Sequence, residues 1–268
     1  MDTSAKINQE LRNATVERKK KKGHRCLGKQ RDENYALMVG VATATVSGDQ
    51  LRKLSEVINK YGQAGHFTTA QSMVIVGITE ENFYKAKQAV LEAGFDIRSI
   101  GRDVRQVKCC AGADFSPFGL QKTFPMARQM EDFFRGLPTP KKFKISVSGC
   151  PNCCANTMLN DFGIHGMMGG WKIFIGGKMG TEPAIAQELA VNVQTDDVCK
   201  YLAAVLRTYR EIGEPDDRLI TTINRVGFDG FKKAVESKIE QSYDDLIQEA
   251  KVVREKEKNA ECLESPKI

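Results

Sequence analysis

No stretch of this 268-residue chain approaches the roughly 18 consecutive apolar residues that a membrane-spanning helix needs, and the N-terminal residues lack the apolar core of a secretory signal. A cytoplasmic protein with no membrane contact is the expectation. There is no P-loop and no dinucleotide-binding glycine pattern. No flavin or nicotinamide motif stands out either, so a redox role would depend on an external carrier. The charge imbalance is small, +6 from 40 basic and 34 acidic residues, which allows nucleic acid binding without demanding it.

Against these absences stands a crowd of cysteines. Five of the eight lie in two short windows, Val104 to Gly119 with Cys109 and Cys110, and Lys141 to Gly163 with Cys150, Cys153 and Cys154. Thiols set beside glycines and prolines fill a core poorly and suit a soft metal centre under reducing conditions better than a disulfide scaffold. On donor type alone, tetrahedral zinc and an iron-sulfur cluster are equally served. The first window has no second cysteine to close a short zinc-type spacer, and Phe115, Phe118, Phe143 and Phe162 suit a redox group kept from water. Inert buried thiols are the third reading, because free cysteine is commonly buried as a small hydrophobe.

With 41% hydrophobic and 28% charged residues, the chain can bury a sizeable core in one large or two modest domains. Residues 1–34 form a polar extension whose run Arg18 to Lys22 reads as a solvated tail, with a phosphate-contacting or acidic-donor-contacting arm as the functional counterpart. Cys26 beside it has no nearby partner. From Tyr35 the pattern turns regular. Residues 36–46 read as a strand, Ser47-Gly48-Asp49 as a helix start, and Leu51, Leu54, Val57 and Ile58 as one helical face. A second strand over 72–78 and a helix from Glu80 to Ala93 follow, giving β-α-β-α order and an α+β class. Trp171 to Ile175 reads as a short strand. Helices are expected at about Pro183 to Ala190 and Asp196 to Glu211, the latter burying Val198, Leu202, Val205 and Leu206 with Cys199 as packing. Leu246, Ile247, Ala250 and Val253 mark a C-terminal helix, packed or partner-facing, and Cys262 beyond it reads as incidental.

Lys142-Phe143-Lys144, then Ser148-Gly149-Cys150-Pro151-Asn152 with Cys154, then Asp161-Phe162-Gly163, resemble the nitrite and sulfite reductase family, which carries sirohaem coupled to a 4Fe-4S cluster. The likeness runs over most of residues 35–235. It implies a ferredoxin-like half domain at 35–101, a sirohaem and iron-sulfur domain at 102–238, and a charged C-terminal helix or tail at 239–268. It also implies that Cys150 and Cys154 are one ligand pair, with Cys154 bridging to the sirohaem iron, and that Cys110 opens the other pair. The expected partner of Cys110 falls at Ser116, a harder donor, and Cys109 and Cys153 are available substitutes for that fourth ligand.

The same resemblance places Thr68, Thr69 and Gln71 beside sirohaem, in a motif whose arginine position is Ala70 here. It places Gly176 and Gly177 in a loop near the sirohaem carboxylates. Arg105, Lys142 and Lys144 match the family's distal cations, and such a set suits reduction of a small anion that consumes protons. Alternation puts Lys142, Lys144 and Ser146 on one strand face, which a solvated edge strand would also explain. His165 and His66 are candidate proton donors, with a satisfied structural histidine as the plainer reading. Family members contain two fused copies of this architecture, whereas this chain has one, so a homo-oligomer or a heteromer with another reductase subunit is expected. The expected activity is reduction of sulfite or nitrite with electrons from a donor such as ferredoxin. The alternatives are a non-catalytic redox or cofactor-binding subunit, favoured by Ala70 and Ser116, and a zinc-stabilised nucleic-acid-binding module.

Overall fold

The computed structural model describes residues 27–98 and 101–259. The basic run Arg18 to Lys22, Cys26 and Cys262 lie outside them.

The first sheet joins β1 (Leu27–Lys29), β2 (Tyr35–Gly40), β3 (Ala64–Phe67), β4 (Met73–Ile78) and β5 (Asp96–Ile97), in the order β1-β2-β4-β3 with β5 also paired to β2. Every pair is antiparallel. Leu37, Val39, Met73 and Ile75 alternate inward against Leu54 and Val57 of α1 (Gly48–Tyr61) and Phe83, Ala86 and Val90 of α2 (Phe83–Glu92). Ser47 and Gln50 start α1 with a reciprocal capping box, each side chain bonding the other's backbone N–H.

Two local expectations change here. The strand expected over 36–46 ends at Gly40 because the backbone of Val41 is taken by Gln106, whose carboxamide bonds both its N–H and its C=O. Thr43 and Ala44 then turn at φ 56° and 54°. His66 and Phe67, expected between elements, form the exposed edge strand β3.

The second sheet contains β6 (Lys108–Cys109), β7 (Ile145–Ser148), β8 (Phe162–Met167), β9 (Gly170–Ile175) and β10 (Gln187–Val193), in the order β10-β9-β8-β7-β6. Pairing is parallel from β6 to β8 and antiparallel beyond. A short α3 (Gly112–Phe115) follows β6. The core is closed by α4 (Thr123–Phe134) and α5 (Val198–Ile212), through Met126, Met130 and Phe134 and through Leu202, Val205 and Leu206. The helix expected at Pro183 to Ala190 is replaced by the lead into β10. Lys178 and Ala184 exchange two backbone hydrogen bonds that turn the chain back, and Leu189 and Val193 then point into the core from a bulged strand.

Three helices finish the chain, α6 (Leu219–Val226), α7 (Phe228–Glu236) and α8 (Asp244–Lys258). Helix α8 buries Leu246 and Ala250 in the larger core and fastens the two halves together. Glu257 meets Arg135 at 2.8 Å, Lys258 meets Asp96 at 3.6 Å, and the buried Lys87 donates to the carbonyl of Asn259 at 3.0 Å. Between the halves, Arg98 lies 2.5 Å from Glu131, whose other oxygen accepts the Val107 N–H.

Candidate functional site

Backbone pairing brings the cations together. Arg105 N–H donates to the Phe143 carbonyl and Phe143 N–H to the Asp103 carbonyl, and three residues later β6 aligns Lys108 with Ser146 of β7. Lys108 on β6, Arg105 on the segment leading into it, and Lys142 and Lys144 on the adjacent segment leading into β7, rather than on a strand as expected, thus line one cleft of about 450 Å³, closed from the first half by Thr69 and Ala70. Lys108 is only 9% exposed. Burial, and secondly the Lys144 charge, hold its ammonium below the usual lysine range. Lys144 is lowered by burial and then by Arg218, and Lys142, at the exposed rim, by burial and then by Lys144. Ser146 is fully buried and its hydroxyl accepts from Asn160, so it belongs to the sheet rather than to the cleft.

The cations sit on a rigid support. Arg105 donates to the Gly101 carbonyl at 2.6 Å and pairs with the buried Asp103 at 3.1 Å. Asp161, fully buried, accepts the backbone N–H of Lys144 at 2.9 Å and two bonds from Arg218 at 2.6 and 3.2 Å. Arg218 therefore fixes the backbone from which Lys144 projects.

From the first half, Thr68 makes a hydroxyl-centred turn with Ala70 and Ser72, which leaves Thr69 on the cleft. Gln71, at φ 59°, turns away from the cleft and binds the peptide of Cys109, while its own carbonyl accepts from Gln106 at 2.6 Å.

The two cysteine loops meet through glycine. A Cβ on Gly149 would lie 2.5 Å from the Gly112 Cα, an approach only glycine permits. It lets Cys110 Sγ accept the N–H groups of Gly112 and Gly149 at 3.3 and 3.2 Å. Cys150 is half-buried and Cys154 exposed. Cys109 is buried in the core with its thiol pushed up to about 12 by burial. Cys153, at φ 57°, turns its thiol onto Thr157 at 3.1 Å. Ser116 is half-buried at the end of α3. Among the described residues no three His, Cys, Asp or Glu side chains converge on the point a single ion would occupy.

Gly176 and Gly177 are required by packing. A Cβ on Gly177 would lie 2.6 Å from the backbone of Asn160, and Gly176 turns at φ 86° against Ile220 and Ile223. The loop they open carries Met179 to the cleft. His165 is buried, hydrogen-bonded to Thr157 and tilted against the Phe174 ring with centroids 4.7 Å apart, with its pKa lowered by burial and then by Lys172. His66 is exposed on β3, and Cys199 is buried with its thiol pushed up to about 12 by burial.

Lys108 and Asn156, which line the cleft, and Arg218, which supports it through Asp161, are residues that the sequence reading missed. Lys108 carried a usable signal, since two residues before Cys110 on an extended segment it shares that residue's face. Arg218 carried none, being brought to Asp161 from 57 positions away.

Residues 100–243 match the family model described as the nitrite and sulphite reductase 4Fe-4S domain, and residues 28–93 match the nitrite/sulfite reductase ferredoxin-like half domain. This chain belongs to the nitrite and sulfite reductase family. Within the family it is 32% identical over 201 residues to a Bacillus subtilis nitrite reductase [NAD(P)H], covering 74% of this chain and 24% of that protein. It is 28% identical over 209 residues to an assimilatory-type sulfite reductase of Nitratidesulfovibrio vulgaris, covering 77% of this chain and 94% of that one. It thus spans a quarter of the first relative and nearly the whole of the second. The fold is shared with NirA of Mycobacterium tuberculosis, at TM-score 0.70 and 20% identity over 77% of this chain and 40% of NirA. It is shared equally with dissimilatory sulfite reductase I, at TM-score 0.69 and 15% identity over 76% of this chain and 69% of that chain. The matched domain is a 4Fe-4S domain, and residues 100–243 include both cysteine windows. No helix among the described residues is long and apolar enough to cross a membrane.

Proposed function

We propose that this protein reduces a small oxyanion, sulfite or nitrite, with sirohaem and a 4Fe-4S cluster as its cofactors. The observation that carries the reading is the cleft itself, where Arg105, Lys108, Lys142 and Lys144 converge, with Lys108 two residues before Cys110 and close enough to Cys153 for their charges to interact. A concentration of buried positive charge suits both a polycarboxylate tetrapyrrole and an anionic substrate. The thiol of Cys110, already bonded by two backbone N–H groups, suits a cluster ligand, whose charge such bonds stabilise.

Cys110, Cys150 and Cys154 would hold the cluster, with Ser116 in the fourth ligand position. Thr69 would border the macrocycle directly. Thr68, Gln71, Gly176 and Gly177 would act one layer behind, by shaping the two loops that flank the cleft. When bound, sirohaem would supply a redox-active iron that takes the anion, and the cluster would supply electrons one at a time. The protein's share is to bind and orient the anion and to deliver protons. Lys142 and Lys144 donate to the substrate oxygens, and their lowered pKa values make them readier acids than a solvated lysine. Arg105, held by Asp103, adds fixed positive charge. The electron donor is an external one-electron carrier such as ferredoxin, the working form is a homo-oligomer or a heteromer with another reductase subunit, and the compartment is the cytoplasm.

The test is turnover of sulfite and of nitrite with a strong artificial donor, normalised to bound sirohaem. Turnover that falls when Lys142 or Lys144 is neutralised, at unchanged cofactor content, supports the reading. Complete inactivity of the fully loaded protein toward both anions would instead make it an electron-carrying or cofactor-binding subunit, a role consistent with Ala70 standing where the family motif has arginine.

A further inference from the structure

The coordination of the cluster can be taken further, on the reading that Cys110, Cys150 and Cys154 bind one. Both spare thiols are committed elsewhere. Cys109 follows the alternation of β6 to the face opposite Cys110, is 2% exposed within the hydrophobic core, and has its peptide held on both sides by Gln71. Cys153 is half-buried, and its sulfur lies 3.1 Å from the hydroxyl of the fully buried Thr157, itself bonded to His165, with the Lys108 charge nearby. The residue at the family's remaining ligand position is Ser116, on the loop that follows Cys110. Its backbone N–H donates to Gly112 at 2.8 Å and its carbonyl accepts from Gly119 at 3.1 Å, so its place in the Cys110 loop is fixed, and its Oγ accepts from the Phe118 N–H at 3.3 Å. A Cβ at Gly119 would lie 2.2 Å from Ala113 N, which locks the loop further.

We infer that the cluster is held by three thiolates and that the iron at the Ser116 corner is exchangeable. A neutral hydroxyl is a harder and weaker donor to iron than a thiolate, and no spare sulfur is placed to replace it. The chemistry balances with a one-electron oxidant such as ferricyanide. Loss of one electron takes the cluster from the 2+ to the 3+ state. The 3+ cluster then sheds the Ser116-side iron as Fe²⁺ and leaves a 3Fe-4S core of charge 1+ on Cys110, Cys150 and Cys154. Reduction by one electron with added Fe²⁺ restores the original.

The experiment uses the full chain, purified without oxygen and carrying its cluster, treated with one equivalent of ferricyanide in the presence of a colorimetric Fe²⁺ chelator and followed by electron paramagnetic resonance. The expected result is release of about one iron in four with a 3Fe-4S signal. Readdition of ⁵⁷Fe²⁺ under reducing conditions should then label a single site by Mössbauer spectroscopy. Ser116→Cys should abolish both the release and the single-site labelling, and Cys109→Ser and Cys153→Ser should leave them as in the wild type. Retention of all four irons by the wild type, or loss of the cluster in Cys109→Ser or Cys153→Ser to the extent seen in Cys150→Ser, would overturn the inference while leaving the cluster reading intact. Protein that binds zinc in place of iron and sulfide would overturn both.

Discussion

Gln71 holds the peptide of Cys109 from both sides. Its Nε2 donates to the carbonyl at 2.6 Å and its Oε1 accepts the N–H at 2.8 Å. One side chain of the first half thus substitutes for a strand at the edge of the second sheet, where among the described residues β6 has no strand neighbour beyond β7. Gln71→Ala should lower stability by about 1–3 kcal/mol, because the Cys109 peptide loses its partners in a part-buried setting. Gln71→Asn should cost nearly as much, although asparagine tolerates the left-handed backbone better, because its amide is one methylene too short. Urea unfolding midpoints check both, and iron content should fall in parallel.

The cleft lysines carry a pH dependence of definite sign. Lys108 and Lys144 have folded-state pKa values below the ordinary 10.5. Between the lowered value and 10.5 the unfolded chain binds more protons than the folded one, so stability rises with pH through that window, and below it the full penalty applies. Lys144→Met should flatten this rise in the cofactor-free protein and raise its melting temperature near neutral pH by about 2–4 °C. The same change should cut oxyanion turnover by about 10- to 1000-fold. Calorimetry across the alkaline range and donor-driven turnover read the two effects separately.

Arg218 and Asp161 form a buried pair whose halves are not equally dispensable. Arg218→Met leaves the Asp161 carboxylate fully buried without its direct ion pair, with the Lys144 N–H and the Lys144 charge as its remaining support, and should destabilise by about 3–5 kcal/mol. Adding Asp161→Asn should recover part of that loss, since the uncompensated charge is gone. A double-mutant cycle by chemical denaturation measures the coupling.

Gly149→Ala tests the contact between the cysteine loops. The added methyl meets the Gly112 Cα and the Gln121 carbonyl at 2.5 and 2.8 Å, neither of which can yield as a side chain end would. The loops must part, at a cost of about 1–3 kcal/mol. Iron and sulfide content should drop further than the far-ultraviolet circular dichroism changes.

Much of this was legible in the sequence because the relevant spacings are local. The alternation of Leu37 and Val39, the helical face of Val198, Leu202, Val205 and Leu206, and the packing role of Cys199 all follow from period and burial. Helix α4 went unread, although Met126, Met130 and Phe134 recur on one face of it. Residues 187–193 misled, since a strand with bulges loses the two-residue alternation that would identify it. Within the site, Lys142 and Lys144 were readable beside Cys150. The burial of Lys108, the inward turn of Cys153 and the Arg218 support arise from contacts between distant parts of the chain, which no local pattern encodes.

The fastening of the two halves by α8 also has a place in time. The bonds from Arg135 to Glu257 and from Lys87 to Asn259 join residues 122 and 172 positions apart. A chain emerging from the ribosome in order can build each half-domain core before these partners exist. Before those final turns form, Gln71, Gln106 and Arg98 already bridge the halves, so the closing of α8 adds to an interface begun earlier in synthesis.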